Sequence, residues 1–231
     1  MQALLISNST NHGEGYLDHC MPAMREFVGV RRRLAFVPFA LFDRQGYTER
    51  TTARFGREEI DVRTVTADSA GHETLTWAEA VFVGGGNTFR LLRTLQEQKL
   101  LTTLRERCRH GLVYMGASAG ANVACPTIRT TNDMPIVQPI SFDALGLVPF
   151  QVNPHYLDPP SGSTHMGETR EERLAEFLEE NPTTVVGLRE GSWIRIDGRS
   201  ATLGGLRAAR VLKQETAPEE RSPGADLSDL L

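Results

Sequence analysis

Short β-branched or apolar runs bounded by Gly, Pro or Asn recur along the chain at residues 3–7, 34–39, 60–65, 80–83, 112–116 and 184–188. Each has strand length, and helix-length segments lie between several of them. This predicts an α/β fold, a single three-layer domain over 1–212 whose mostly parallel sheet is flanked by helices on both faces. Within 87–100, Phe89 and Leu92 stand one turn apart, as do Leu91 and Leu95, behind Asn87 as a cap, so this segment reads as an amphipathic helix. Another helix is expected near Thr169, where Thr169 and Glu172 have capping-box spacing and Leu174, Phe177 and Leu178 form an apolar stripe. Its glutamates read as a solvated face. Residues 193–196 and 200–203 flank Asp197-Gly198, a two-residue hairpin signal, so the sheet is expected to end in an antiparallel C-terminal hairpin. From Lys213 onward Pro218, Pro223 and Gly224 stand among acidic residues, with no apolar period before the terminal leucines. A flexible tail is predicted over 213–231.

Composition narrows the function classes. The 231 residues carry 25 Lys+Arg against 29 Asp+Glu, a formal charge of −4. Weak acidity removes the sequence-independent attraction that dominates nucleic-acid binding, and the run Arg31-Arg32-Arg33 is too short to restore it, so no nucleic-acid partner is expected. No apolar stretch approaches the roughly 20 residues that span a bilayer, and no membrane partner is expected. The first residues run straight into a strand pattern without a basic n-region, which reads as the absence of a secretory signal. Cys20, Cys108 and Cys125 cannot all pair and none has Cys-x-x-Cys spacing. A reduced, cytoplasmic protein without structural zinc is the simplest reading, as a monomer or a homodimer.

The candidate chemistry lies in Gly116-Ala117-Ser118-Ala119-Gly120, which follows a buried-strand pattern and precedes helix-forming residues. Gly-x-Ser-x-Gly in that context is a nucleophile elbow: a strained strand-to-helix turn presents the hydroxyl, so its neighbours must be small. A tight turn with a capping serine is the plainer reading of the same residues. Gly84-Gly85-Gly86-Asn87 follows the strand at 80–83 and opens a helix, at a carboxyl end of the sheet where ligands of α/β proteins bind. It lacks dinucleotide or P-loop spacing; residues without a Cβ here suit backbone donors for an oxyanion.

A serine nucleophile needs a base. His155 follows Asn153-Pro154 at an expected strand end, and His165, in a Ser/Gly/Thr-rich loop, is its rival. For the acid that orients the imidazole, Glu190 again follows an expected strand, with Asp133, Asp143 and Asp158 as alternatives.

These residues, together with Ser7-Asn8-Ser9-Thr10, the stretch from Thr127 through Thr131-Asn132-Asp133-Met134-Pro135 to Ile136, and Gly167-Glu168-Thr169-Arg170-Glu171, make the chain resemble the peptidase E (aspartyl dipeptidase) family over residues 1–212. These are serine peptidases on a fold like that of class I glutamine amidotransferases. The resemblance implies a Ser118–His155–Glu190 triad, Asp133 as a further acid near the histidine, and hydrolysis of small Asp-Xaa dipeptides without metal or organic cofactor. It also implies an oxyanion hole from the N–H groups of Gly86 and Ala119. Arg170 would be the ligand of the substrate's aspartate side chain, with Asn87 also in the substrate site. A guanidinium suits that task, because its planar fork binds a carboxylate bidentately. Pro159-Pro160 and Ser161-Gly162-Ser163 depart from the family pattern. Two alternatives remain at this stage: a cyanophycinase-like β-aspartyl peptidase, which should lack residues 131–135 as they stand here, and a non-catalytic module that binds an acidic metabolite.

Overall fold

In a computed structural model, which describes residues 1–159 and 167–231, five parallel strands form the centre of the molecule. They are β1 (Gln2–Ile6), β2 (Arg33–Val37), β3 (Asp61–Thr64), β4 (Ala80–Val83) and β5 (Val113–Ala117), ordered β3-β2-β4-β5-β1. The antiparallel β8 (Ser192–Asp197) and β9 (Ser200–Gly205) complete a seven-stranded sheet. The expected hairpin is present, shifted by one residue: Asp197 pairs with Ser200, so the two-residue loop is Gly198-Arg199, with Gly198 at φ +64°. His165 and the Ser161-Gly162-Ser163 segment lie outside the described residues.

β1, β2, β4 and β5 read as nearly unbroken apolar runs because both faces are covered, whereas the edge strand β3 carries Asp61 and Arg63. Ala3, Leu5, Ala35, Val37, Val81, Val83 and Tyr114 point to one core, while Leu4, Ile6, Leu34, Phe36, Phe82, Val113 and Met115 point to the other. Onto the first pack α3 (Ser69–Trp77), α4 (Thr88–Glu97), α5 (Leu100–Arg109) and the short α6 (Ala119–Val123). Onto the second pack α1 (Met21–Val28) and α2 (Arg44–Gly56). The segment predicted as one helix over 87–100 ends at Glu97; Lys99 adopts a left-handed φ of +58° and α5 begins at Leu100. Among the described residues no helix is long and apolar enough to cross a membrane.

A second sheet is not apparent in the sequence pattern. β6 (Gln151–Pro154), β7 (Val185–Leu188), β10 (Ala209–Leu212) and β11 (Glu219–Arg221) form it in the order β11-β10-β7-β6. The strand expected at 184–188 therefore belongs here and not to the main sheet. One face of the second sheet, with Val152, Val186, Leu188 and Val211, extends the main core. The other, with Val185 and Leu212, lies under Leu174 and Leu178 of α7 (Arg170–Glu180).

The tail predicted as flexible over 213–231 is corrected by the structure. β11 pairs with β10, Leu227 N–H donates to Ala201 O (2.8 Å), and the side chain of Leu227 is fully buried with Leu230 nearly so. Two isolated leucines carry no period, yet they suffice to dock a segment that covers otherwise open sheet edges.

Candidate active site

The carboxyl ends of β1, β4, β5, β6 and β7 converge. β5 ends at Ala117 beside Ile6 of β1, and the next residue, Ser118, has φ 52° and ψ −110°, the strained turn that an elbow requires. The turn is feasible only because its neighbours are bare: a Cβ on Gly120 would lie 2.1 Å from Val83 O. The glycine loop after β4 lies directly against the serine, since a Cβ at Gly85 would stand 3.0 Å from the Ser118 Cβ. Among the described residues, neither Gly86 N–H nor Ala119 N–H donates to a backbone acceptor.

His155 and Glu190 come from the parallel neighbours β6 and β7, whose register pairs Pro154 with Leu188, so both side chains emerge at the same edge. His155 Nδ1 lies 2.7 Å from Glu190 Oε1, and His155 Nε2 lies 2.9 Å from Ser118 Oγ. A carboxylate can only accept, so Nδ1 carries the proton and Nε2 is left to accept from the serine hydroxyl. The side chains of His155 and Glu190 are 38% and 47% exposed, so the site is open to a small solute.

Ser7 and Asn8, quoted above without a role, brace this arrangement. The fully buried Ser7 Oγ accepts from His155 N–H (2.9 Å) and donates to Leu188 O (2.7 Å), and Asn8 Oδ1 accepts from Gly191 N–H (2.7 Å). His155 has φ 54°, a conformation that needs such outside support. The available signal was two polar residues directly after an all-apolar strand, which are buried only if hydrogen-bonded.

Two further residues of the expected site, Asp133 and Asn87, are engaged within the protein. Asp133 does not hydrogen-bond His155; its Oδ2 accepts from Thr88 N–H (2.7 Å), Thr88 Oγ1 (2.6 Å) and Thr131 Oγ1 (3.2 Å) at the start of α4. A carboxylate there is favoured by the unpaired donors and the dipole of the helix N-terminus. Asn87, expected in the substrate site, has both ends of its amide engaged: Oδ1 accepts from Arg90 N–H (3.0 Å) and Nδ2 donates to Met134 O (2.8 Å). Its capping role is the one the periodicity predicted. Of the other acids, Asp158 pairs with Arg189, whose hydrogen bonds hold its carboxyl below the usual carboxylate range, and Asp143 meets Thr127 through a backbone bridge.

Arg170 opens α7 behind the predicted capping box, in which Thr169 N–H donates to Glu172 Oε2 (2.6 Å) and Glu172 N–H to Thr169 Oγ1 (3.2 Å). Its guanidinium donates to Asn132 Oδ1, and among the described residues it has no salt bridge. Partial burial, with Arg173 nearby, pushes its pKa down, so an anion arriving here would be favoured. The adjacent Glu171 fastens α7 to the second sheet through Arg210 (2.8 Å) and Tyr156 Oη (2.8 Å).

Hydrogen bonds from Arg210 hold the Glu171 carboxyl below its ordinary 4.5. A depressed folded-state value means that the ion pair stabilises in full above pH 4.5 and loses its contribution as the pH falls through the folded value. Glu171→Gln is therefore expected to lower Tm near neutral pH by about 2–4 °C, the scale of one charged hydrogen-bond pair in a chain of this size. Thermal melts as a function of pH should show the gap to wild type closing in acid; a gap that persists there would assign the effect to packing.

Among the described residues no group of three or more His, Cys, Asp or Glu side chains stands together as a metal site. A strained serine after a parallel strand, in line with a histidine and a carboxylate and facing a glycine loop, defines a serine hydrolase on a three-layer α/β fold. The chain belongs to Peptidase family S51, whose model matches residues 3–204. It is 57% identical over 231 residues to Peptidase E of Streptomyces coelicolor, a match covering 100% of this chain and 95% of that one. It is 46% identical to a Drosophila melanogaster protein named "Probable alpha-aspartyl dipeptidase", covering 99% of this chain and 96% of that one. The crystal structure of a peptidase from an acI-B1 Actinobacterium shares the fold, with a TM-score of 0.73, 16% identity, and coverage of 98% of this chain and 96% of that one.

Proposed function

We propose that this protein is a serine-type dipeptidase that hydrolyses dipeptides with an N-terminal aspartate, acting on the α-peptide bond through an acyl-enzyme. The observation that carries the proposal is the hydrogen-bonded line Ser118–His155–Glu190 together with Arg170, a cation with no ion-pair partner among the described residues. The names of the relatives agree with it. His155 Nε2 takes the Ser118 proton as Oγ attacks the Asp–Xaa carbonyl carbon. The N–H groups of Gly86 and Ala119 hold the resulting oxyanion. Collapse expels the amine, which receives the proton from His155, and a water activated by the same imidazole releases aspartate. Glu190 stabilises the imidazolium and Arg170 binds the aspartate side chain. Three free, buried cysteines are consistent with a cytoplasmic location.

Specificity tests this reading. Asp-Leu should be turned over with a kcat/KM about 10²–10³-fold above that of the near-isosteric Asn-Leu, because an uncharged side chain leaves a half-buried guanidinium unpaired. Glu-Leu should also be poor, since an extra methylene displaces either the carboxylate or the scissile carbonyl. Arg170→Met should depress Asp-Leu hydrolysis far more than Asn-Leu hydrolysis. Steady-state kinetics on both substrates decide the matter: full aspartate preference in the variant would assign selectivity to another cation, with Arg129 the first to test. Faster hydrolysis of a β-aspartyl dipeptide than of its α-isomer would overturn the proposal.

A further inference from the structure

We infer that Asn132 determines specificity by holding Arg170 with a neutral amide, which orients the guanidinium without cancelling its charge, and that the same side chain ties this cation to the strand end bearing the base. The inference rests on the proposed dipeptidase reading and names the residue that prepares its cation.

Both ends of the Asn132 amide are in use. Oδ1 accepts from the Arg170 guanidinium and from Asn153 Nδ2 (2.6 Å), while Nδ2 donates to Pro154 O (2.6 Å), the carbonyl next to His155. Asn153 is itself buried and donates to Thr130 O (2.8 Å), so the acceptor that Arg170 meets is set from the interior of β6. Asp133, the next residue, anchors this segment on α4 through its bonds to Thr88. One side chain thus joins α7, which supplies Arg170, to β6, which leads into His155.

The chemistry of the position explains an amide there. A carboxylate would accept from Arg170 equally well, but it would neutralise the charge that a substrate carboxylate must meet. It would also set an acceptor against Pro154 O in place of a donor. An aliphatic residue would leave the long Arg170 side chain without its fixed contact. Arg170 has five N–H donors, and among the described residues its guanidinium donates only to Asn132, through one nitrogen, so that the fork can still meet a ligand.

The test compares wild type, Asn132→Ala and the isosteric Asn132→Asp on Asp-Leu and Asn-Leu, with Tm recorded for each. The expected order of the Asp-Leu/Asn-Leu ratio of kcat/KM is wild type, then Asn132→Ala, then Asn132→Asp. The aspartate variant should lose about 100-fold in that ratio, chiefly as a raised KM for Asp-Leu. Any fall in kcat should be common to both substrates, because it passes through Pro154 and His155. A merely structural role would lower both substrates together and leave the ratio unchanged, which would overturn the inference. If Asn132→Asp does not fold, the ratio in Asn132→Ala decides: it must fall, and an unchanged value again overturns the inference. Wild type without preference for Asp-Leu would instead refute the underlying dipeptidase reading.

Discussion

Ser118→Ala is expected to lower kcat on Asp-Leu by about 10⁵-fold, roughly 7 kcal/mol of transition-state stabilisation, while KM and the fold remain nearly unchanged. The loss is confined to one hydroxyl whose partner is His155 Nε2 at 2.9 Å. Alanine keeps the Cβ and therefore the same strained backbone at φ 52°, so no new cavity or clash arises. Tm should stay within about 2 °C of wild type. Residual turnover above the uncatalysed rate would come from the backbone donors and from substrate positioning. Single-turnover kinetics, with mass spectrometry for the acyl-enzyme, check this; retention of a tenth of wild-type kcat would remove Ser118 from the mechanism.

Glu190→Gln carries the second-largest expected effect. Glutamine can keep a contact to His155 Nδ1, but it cannot stabilise the imidazolium, and it can present its NH2 and favour the wrong tautomer. For a buried carboxylate the corresponding loss is about 10⁴-fold; with the Glu190 side chain 47% exposed, solvent shares the stabilisation and a fall of about 10²–10³ in kcat is expected, with KM little changed. Asp133→Ala should behave differently. It removes the anchor between residues 131–133 and α4, so it should cost about 1–2 kcal/mol of stability. Its effect on Asp-Leu should act through Asn132 and Arg170, as a raised KM. Measuring kcat and KM for both variants separates the two acids; a kcat loss in Asp133→Ala with unchanged KM and Tm would exchange their roles.

Much of the site was legible in the sequence because its local parts are encoded over a few consecutive residues. The small residues around Ser118 permit only a tight elbow, Thr169 and Glu172 close their capping box within one turn, and Asn87 caps α4 as its position suggests. The inner strands β1, β2, β4 and β5 were visible as apolar runs because each is covered on both faces. Each of these signals depends on backbone geometry spanning fewer than about ten residues.

What lay outside the sequence's reach depends on contacts between residues far apart in the chain. His155 and Glu190 are 35 residues apart, and no spacing rule relates them; the parallel register of β6 and β7 does. Glu190 stood first for the third group, on its place after an expected strand and on the family resemblance, but position in the chain could not exclude Asp133, Asp143 or Asp158; the tertiary structure shows where the rivals are held. It gave Asp133 the donors at the start of α4 and Asp158 the Arg189 guanidinium, leaving Glu190 at the imidazole. The second sheet and the docked tail went unforeseen for the same reason: strand pairing and the burial of Leu227 are non-local, and a short polar strand such as β11 forms only because β10 offers it an edge. The sequence alone determined the central strands, the capped helices α4 and α7 and the reactive turn, because those follow from local sterics and periodicity. The tertiary structure decided which charges meet, because a hydrogen bond at 2.7 Å depends on the position of both partners and on the removal of their rivals.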